Sequence, residues 1–416
     1  MKNLNQELRR INGGGVTSAA GFQASGIVCG LKKSGNPDLA LVCSETPCNF
    51  AGMFTSNLFP AAPVQLCRDR VAKCETVRAV VVNSGVANAC TGAAGYQAAE
   101  ETAAYTAGKL GIAQDDVLVG STGRIGVQLP MEKIRAGIDM AVAALSADGS
   151  AAASEAIITT DTRPKRIAVS FDVNGKTVTL GGMTKGAGMI APHMILAKPH
   201  ATMLCYLTTD AAVSNSDLAV FLEEAVCGSF NRITVDNDMS TNDTCLIFAN
   251  GVSGVKITAG GDSRENRLFR EALAYITEYL ATNMVMDGEG TTKIVEIRVE
   301  HARNEADAKI CCKAIADSML CKTAWFGCDP NWGRVLAAAG YSGAQFQPEN
   351  VNLDYDGFPV VRAGMDAGTP EEVLAEALRK ESFVLKLDLG AGDAQYHMWT
   401  GDISYEYVKI NADYHT

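Results

Sequence analysis

The stretch "GGMTKGAGMIAPHMILAKPHATMLCYLTTDA", residues 181–211, passes from a glycine-rich segment around Lys185 into the apolar, strand-like run "MLCYL", which begins directly after Thr202. Glycines let a backbone turn tightly or approach a ligand closely, so a turn-rich loop followed by a strand is expected here. Three kinds of site could use such a segment: a phosphate-binding loop, a histidine metal site, or a threonine that carries out chemistry.

The first two kinds of site need residues that this stretch lacks. A P-loop has its glycines before a lysine that is followed by serine or threonine, and neither "GGMTKGAG" nor "DGEGTTK", residues 287–293, has that order. His193 and His200 stand seven positions apart with no acidic or thiol residue at ligand spacing. We therefore predict no metal site.

Thr202 then has two interpretations, a buried strand residue and a nucleophile. A threonine hydroxyl is a poor nucleophile unless a base accepts its proton, and a threonine at a chain terminus can use its own α-amine. That amine has an unperturbed pKa of about 8, so part of it is neutral at physiological pH. An internal Thr202 must first be freed by a cut in front of it. The pattern alone leaves both interpretations open.

The composition predicts a globular protein with small-molecule partners. A length of 416 residues corresponds to two or three domain-sized units. The formal charge of −11 argues against nucleic acid or an anionic membrane as a partner, because both need a basic face. No apolar run approaches the roughly 20 residues that span a bilayer. Thirteen cysteines, an odd number without a C-x-x-C motif, are typical of reduced thiols, so we expect a cytoplasmic location.

Strand and helix patterns are distributed along the whole chain. The predicted strands include "DLALVC", "RAVVVN", "RIAVSFDV", "KTVTLGG", "KIVEIRVEHA", "SFVLKLDLG" and "ISYEYVKIN". The predicted helices cover residues 95–112, 129–147, 216–230, 264–285, 306–324 and 369–381. Residues 144–156 have the weakest pattern and are predicted to form a surface loop. Because strands and helices do not alternate strictly, we predict a layered α/β (α+β) sandwich rather than one doubly wound sheet.

A series of motifs extends over almost the whole chain. It comprises "GGVTSAAGFQASGI", "AGMFTSNLFPAAPV", "VVNSGVANACTG", "GSTGRIGVQLP", "IITTDTRPK", "GGMTKGAGMIAP", "ATMLCYLTTDA", "SFNRITVDNDMSTNDT", "MDGEGTTK", "CKTAWFGCDPNWGR" and "YVKINADYHT". In these motifs and in their order the chain resembles the ornithine acetyltransferase family, the ArgJ proteins of arginine biosynthesis. The resemblance implies an N-terminal-nucleophile-like fold of the ArgJ/DmpA type.

The resemblance also implies a precursor that cuts itself between Ala201 and Thr202. The products would be an α chain of residues 1–201 and a β chain of residues 202–416, assembled as two α and two β chains. The family moves an acetyl group from N2-acetylornithine to glutamate through an ester on the terminal threonine. No cofactor is implied, and acetyl-CoA is a candidate co-substrate because some family members use it.

The matching motifs assign roles to individual residues. Thr122 and Gly123 in "STGRIG" correspond to the oxyanion hole, which stabilises negative charge on the acetyl oxygen. The positions that correspond to substrate-binding residues are Thr159, Lys185, Thr202, Glu289, Asn411 and Thr416. Lys185 suits a substrate carboxylate, and Glu289 suits the side-chain amine of ornithine.

Two departures from the family pattern concern the site. Lys185 precedes Thr202 by seventeen positions, whereas the family spacing is eleven, so about six residues within "HMILAKPH" are inserted before the predicted cut. Arg124 stands where the family commonly has an aliphatic residue. Two rival functions stay open. The same machinery could release its acyl group to water, as in an N-terminal-nucleophile amidase, and the insertion leaves open an unprocessed homologue without catalysis.

Overall fold

The computed structural model describes residues 4–196 and 203–413. Its strands are β1 Arg9–Arg10, β2 Phe22–Ile27, β3 Leu39–Phe54, β4 Val77–Val86, β5 Val117–Arg124, β6 Lys165–Val173, β7 Lys176–Lys185, β8 Ile195–Leu196, β9 Leu204–Thr209, β10 Ala212–Val213, β11 Ile233–Thr234, β12 Thr244–Ala249, β13 Lys256–Ile257, β14 Ile294–Ala302, β15 Asn352–Tyr355, β16 Phe358–Arg362, β17 Met365–Asp366, β18 Ser382–Asp388 and β19 Ala394–Gly401. Its helices are α1 Ala62–Lys73, α2 Gly92–Leu110, α3 Met131–Ala143, α4 Ser150–Ala156, α5 Asn215–Cys227, α6 Arg264–Met286, α7 Glu305–Asp317, α8 Met319–Phe326, α9 Trp332–Tyr341, α10 Glu371–Leu378 and α11 Tyr405–Asp413.

The chain divides into two compact units, each with its own sheet. Among the described residues, unit 1 comprises 4–196, 203–231 and 239–284, and unit 2 comprises 232–238 and 285–413. The predicted α and β chains are defined by one peptide bond rather than by compactness, so this division does not test them. They stay a prediction.

Unit 1 is built on a ten-stranded mixed sheet. Its strands follow the order β1-β6-β7-β9-β12-β3-β4-β5, and β2 and β8 pair with β3 beside this path. Two strands that follow residue 202, β9 and β12, therefore lie between β7 and β3, which precede it. Strand β9 is antiparallel to β7 and parallel to β12, and β12 is antiparallel to β3.

One row of residues crosses the four central strands of this sheet. Lys185 of β7 pairs with Leu204 of β9, Leu204 pairs with Thr244 of β12, and Thr244 pairs with Phe54 of β3. The ends of β7 and β3 and the starts of β9 and β12 are consequently neighbours along one edge.

Helices cover the apolar faces of the unit 1 sheet. Helices α1, α2 and α3 pack near β3 and β5, and α4 packs against β2 and β3. On α6, Ile276 and Leu280 approach Gly182 of β7 so closely that a Cβ at that glycine would lie 3.1–3.2 Å from their side chains. The apolar run after Thr202 is buried throughout, from Met203 to Thr209, and this strand forms part of the interior of the unit.

Unit 2 has a seven-stranded sheet in the order β11-β19-β14-β18-β15-β16-β17.

A buried lysine of unit 2 joins helix α8 to the segments around Val235 and Gly401. The Lys322 ammonium on α8 donates to the carbonyls of Val235, at 3.0 Å, and Gly401, at 2.8 Å, and to the Thr400 hydroxyl. Burial lowers the pKa of Lys322 to about 8, although the charges of nearby acidic residues oppose this shift.

The predicted fold class is confirmed, because mixed sheets are layered with helices in the described parts of the chain. The strands predicted from β-rich runs correspond to β3, β4, β6, β7, β14 and β18. Cys311 and Cys312 of α7 are buried. None of the helices within residues 4–196 and 203–413 is long and apolar enough to cross a membrane.

The strand predicted for "ISYEYVKIN" is wrong, because residues 405–413 form helix α11. Aromatic and β-branched residues favour strands only when a neighbouring strand offers a pairing edge, and β19 already pairs with β11 and β14. The Ser404 hydroxyl instead accepts the Glu406 N–H at the start of the helix. Glu406 and Lys409 form an ion pair on its surface.

Two further predictions are corrected. Residues 144–156 contain helix α4, and Ser150 and Ala153 are buried, so only part of the segment is an exposed loop. The single helix predicted over 306–324 is two helices, because Ser318 has extended backbone angles and its hydroxyl caps the start of α8.

Candidate active site

The segment predicted to form the oxyanion hole lies at the end of β5, where β5 pairs with β4. Thr122 is buried, and Gly123 has a φ of +127°. A Cβ at Gly123 would lie 2.4 Å from the Gly85 carbonyl carbon and 2.7 Å from its Cα. The pairing register also shifts at Gly85 and Val86. Only glycine fits this backbone, so its conservative replacement by alanine would move the segment.

Asn242, two residues before β12, holds this segment in place. Its side-chain amide donates to the carbonyls of Ser121 and Ala87, both at 2.7 Å. The Thr241 hydroxyl in turn donates to the amide oxygen of Asn242 at 2.6 Å. Because Ser121 immediately precedes Thr122, the start of β12 and the predicted oxyanion segment are held together.

The start of β12 is also bonded to the residue that follows Thr202. The Thr244 N–H donates to the Met203 carbonyl at 2.7 Å. Met203 is fully buried. Ala201 and Thr202, predicted as the cleavage site, lie outside the described residues, and so does Thr416.

Lys185 lies in a buried cluster of charges around Asp161. One carboxylate oxygen of Asp161 is 2.6 Å from the Lys165 ammonium, and the other is 3.8 Å from the Lys185 ammonium. The same carboxylate accepts the Gly186 N–H at 2.6 Å and the Thr159 N–H at 3.0 Å. The side chains of Asp161, Lys165 and Lys185 are at most 5% exposed.

The electrostatics of this cluster favour a bound anion. Burial alone would raise the pKa of Asp161, but the charges of Lys165 and Lys185 outweigh it and hold that pKa well below its usual range. Two ammonium groups and one carboxylate carry a net charge of about +1 in a nearly dry environment. Asp161 thus holds two of the predicted substrate-binding residues, Thr159 through its backbone N–H and Lys185 through its ammonium group.

Two other predicted residues meet in unit 2. The Asn411 side-chain amide on α11 donates to the Glu289 carboxylate at 2.8 Å. Glu289 is 7% exposed, whereas Asn411 is exposed. Gly290 lies so close to α11 that a Cβ would be 2.6 Å from the Tyr407 nitrogen, and the Ser404 hydroxyl donates to the Gly290 carbonyl at 2.6 Å. Helix α11 is thereby packed directly on the turn that carries Glu289.

The sequence departures have visible structural counterparts. Strand β8 lies within "HMILAKPH", the segment predicted to contain the insertion, and its residues Ile195 and Leu196 pair with Phe54 and Met53 of β3. The Met194 N–H donates to the Asn231 side chain at 2.6 Å. The Arg124 side chain is exposed, so it does not fill a buried pocket in place of an aliphatic residue.

Sequence reasoning gave no role to three residues of this site: Asp161, Lys165 and Asn242. Asp161 and Lys165 both lie within "IITTDTRPK", and Asn242 lies in "MSTNDT", but these motifs do not show which side chains meet. One signal was available, because Lys165 is a charge at the start of the buried strand "RIAVSF" and therefore needs a counter-charge. No group of three or more potential metal ligands, and no disulfide, occurs within the described residues.

Comparison with known proteins identifies the family. The ArgJ family model matches residues 23–416. The arginine biosynthesis bifunctional protein ArgJ of Symbiobacterium thermophilum is 48% identical over 97% of this chain and 99% of its own length. The glutamate N-acetyltransferase of Methanocaldococcus jannaschii is 44% identical over 98% of this chain and 100% of its own. The crystal structure of ornithine acetyltransferase complexed with ornithine, from Mycobacterium tuberculosis, is 41% identical in sequence. The match covers 45% of this chain and 100% of that chain, with a TM-score of 0.42.

These relatives define the class of protein as an acyltransferase enzyme. The chain belongs to the ArgJ family, as the motifs predicted.

Proposed function

We propose that this chain is a self-processing acetyltransferase of arginine biosynthesis that transfers acetyl from N2-acetylornithine to glutamate through an ester on Thr202. One observation carries the proposal. Met203, the residue after Thr202, is bonded to the start of β12, and Asn242 joins the same strand start to the carbonyl of Ser121, next to Thr122. The names of the relatives, glutamate N-acetyltransferase among them, support the same reaction.

Self-processing would begin with attack of the Thr202 hydroxyl on the Ala201 carbonyl. Thr122 and Gly123 would stabilise the oxyanion that forms, and the peptide bond would become an ester. Formation of the ester would break the carbon–nitrogen bond and free the α-amine of Thr202. Hydrolysis of the ester would then release the α chain and restore the Thr202 hydroxyl. The products would be chains of residues 1–201 and 202–416.

The acetyl group would then move in two half-reactions. The Thr202 hydroxyl attacks the acetyl carbonyl of N2-acetylornithine, its proton passes to the α-amine of Thr202, and that proton leaves with the ornithine nitrogen. Glutamate then takes the acetyl group from the ester, so the kinetics are ping-pong. The positive cluster of Lys185, Lys165 and Asp161 suits the substrate carboxylate.

Further parts of the proposal rest on the family resemblance. Glu289 and Asn411 would bind substrate, with Glu289 taking the side-chain amine of ornithine, and Thr416 would be a third ligand at that end of the chain. We also propose an assembly of two α and two β chains, a cytoplasmic location, and acetyl-CoA as a second acetyl donor to be tested directly.

Intact mass under denaturing conditions tests the central claim. Two fragments that begin at Met1 and Thr202 are expected from the wild-type protein, and one uncut chain from Thr202→Ala. Acetyl transfer to glutamate is then measured beside acetate release. Uncut wild-type protein would contradict self-processing, and release of acetate without transfer would favour an amidase.

A further inference from the structure

The loop between β2 and β3 carries a lysine, Lys32, that the mechanism above does not use. The buried carboxylate of Asp38 organises this loop by accepting three backbone N–H groups. Those of Cys29 and Leu31 lie at 2.6 Å and that of Lys32 at 3.0 Å. The Lys32 ammonium donates to the Pro37 carbonyl at 2.6 Å. Both the backbone and the charged end of Lys32 are thereby held in place.

This loop packs against the strand pair that carries the predicted oxyanion hole. Gly85 of β4 lies so close to the loop that a Cβ there would be 3.4 Å from the Cγ of Lys32. Gly85 is also the residue against which Gly123 packs on the neighbouring strand. One position earlier, the Ser84 N–H donates to the Asp38 carbonyl at 2.8 Å. A single glycine therefore lies between the side chain of Lys32 and the oxyanion segment.

The same strand pair is bonded to the segment that leads into the charge cluster around Asp161. The Ser84 hydroxyl is buried and donates to the Ala156 carbonyl at 2.6 Å. Ala156 is the last residue of α4, and Thr159 and Asp161 follow it closely in the chain. Ser84 therefore bonds both to the loop that carries Lys32 and to the segment that carries two residues of the candidate site.

The charges of the cluster act on Lys32. Burial lowers the pKa of Lys32, and the positive charge of Lys185 lowers it further. The carboxylates that oppose this shift are those of Asp38, Asp161 and the exposed Glu155. Asp38 is already bonded to backbone N–H groups, and Asp161 is already paired with the ammonium groups of its own cluster. A further ammonium group beside this cluster favours the binding of an additional anion.

We propose that Lys32 is a specificity-determining residue that binds a carboxylate of the substrate beside Lys185. The inference rests on the proposed function, because that function brings amino-acid carboxylates to this place. An ammonium group has three N–H donors, and within residues 4–196 and 203–413 the Lys32 ammonium donates to Pro37 alone. The other donors suit carboxylate oxygens. The carboxylate is either the α-carboxylate, which glutamate and N2-acetylornithine share, or the γ-carboxylate, which only glutamate has.

The test compares Lys32→Met with Lys32→Arg and Lys33→Met. Methionine removes the charge and keeps an unbranched side chain, whereas arginine keeps the charge. Lys33 is a suitable control because it is the next residue of the same loop and is exposed. For each protein, intact mass measures the cut and a melting curve measures folding. Steady-state kinetics then give kcat and separate KM values for glutamate and for N2-acetylornithine.

Lys32→Met is expected to raise KM for glutamate about ten- to a hundredfold, the effect of one charged hydrogen bond, with a smaller change in kcat. Lys32→Arg should recover part of this loss, and Lys33→Met should behave as the wild type. A matching rise in KM for N2-acetylornithine would assign the α-carboxylate to Lys32, and an unchanged value would assign the γ-carboxylate.

Two outcomes separate this inference from the proposed function. A cut, active Lys32→Met enzyme with the wild-type KM for glutamate would overturn the inference and leave the proposed function intact. This holds even if kcat falls, because Lys32 would then only support the loop beside Gly85. Failure of the wild-type protein to transfer acetyl would overturn both.

A second measurement, on the wild-type protein, applies if Lys32→Met is unstable or uncut. Trinitrobenzenesulfonate labels lysine amines, and peptide mass spectrometry follows the labelling of Lys32 and Lys33 separately. N-acetylglutamate, which carries both carboxylates, should slow the labelling of Lys32 and leave that of Lys33 unchanged. Equal labelling of Lys32 with and without saturating N-acetylglutamate would overturn the inference.

Discussion

Replacement of Asp161 by asparagine tests the buried cluster around Lys185. The substitution keeps the shape of the side chain but leaves two buried ammonium groups without their shared counter-charge. At an effective dielectric constant of 20, the attractions at 2.6 Å and 3.8 Å are about 6 and 4 kcal/mol before the cost of burying the carboxylate is subtracted. Removing one partner of a buried pair typically costs about 3–5 kcal/mol, which is the loss expected in the free energy of unfolding.

Urea unfolding at pH 7 measures this loss. Asp172→Asn is the control. Asp172 lies in β6, the strand that also carries Lys165, and its ion pair with Arg9 is exposed, so little change is expected. Adding Lys165→Met to Asp161→Asn should restore part of the stability, since one of the two buried ammonium groups is then removed. Wild-type stability in Asp161→Asn, or a double variant less stable than the single one, would refute the electrostatic reasoning.

The ion pairs of Asp161 also make the free energy of unfolding depend on pH. The pKa of Asp161 is held below its ordinary value of 3.8 in the folded protein. Its stabilising contribution is therefore complete above that value and is lost as the pH falls through the lower, folded-state pKa. The stability difference between wild type and Asp161→Asn should be constant from pH 6 to 8 and should shrink in acid.

Three further predictions concern other parts of the site and fold. Gly123→Ala should reduce acetyl transfer more than a hundredfold, because its Cβ would lie 2.4 Å from the Gly85 carbonyl carbon. Steady-state kinetics and a melting curve measure the effect, and wild-type values of both kcat/KM and Tm would contradict it. Glu289→Gln should raise KM for N2-acetylornithine more than KM for glutamate, and an unchanged KM for acetylornithine would rule out its pairing with the ornithine amine. Burial lowers the pKa of Lys322 in the folded protein to about 8, below its ordinary value of 10.5. The free energy of unfolding of the wild type, relative to Lys322→Met, should therefore increase as the pH rises from 8 to 10.5, and urea unfolding at several pH values measures this.

Much of the architecture could be predicted from local patterns. Six β-rich runs form strands because their alternating or continuous apolar residues fit a sheet, whatever its order. The last helix could not be predicted in this way. The choice at residues 405–413 depends on whether an edge of the neighbouring sheet is available, and that is a property of the whole unit rather than of "ISYEYVKIN".

The residues of the candidate site also differ in whether local sequence patterns predict them. Motifs singled out Thr122, Gly123 and Lys185, whose backbone or charge has a direct chemical role. Asp161 and Asn242 act by holding other residues, Asp161 across a gap of 24 positions to Lys185 and Asn242 across 121 positions to Ser121. Such contacts are created by strand order, and no local pattern encodes them.

The order of the strands in unit 1 has a consequence for the cut protein. Strands β9 and β12 come from the proposed β chain, and they are inserted between β7 and β3 of the proposed α chain. Cleavage would thus leave two polypeptides interleaved in the sheet of unit 1, and neither polypeptide would hold all the strands of that sheet. We expect the fragments to co-purify through every native column and to separate only in denaturant. Halves produced separately should regain activity only when they are refolded together.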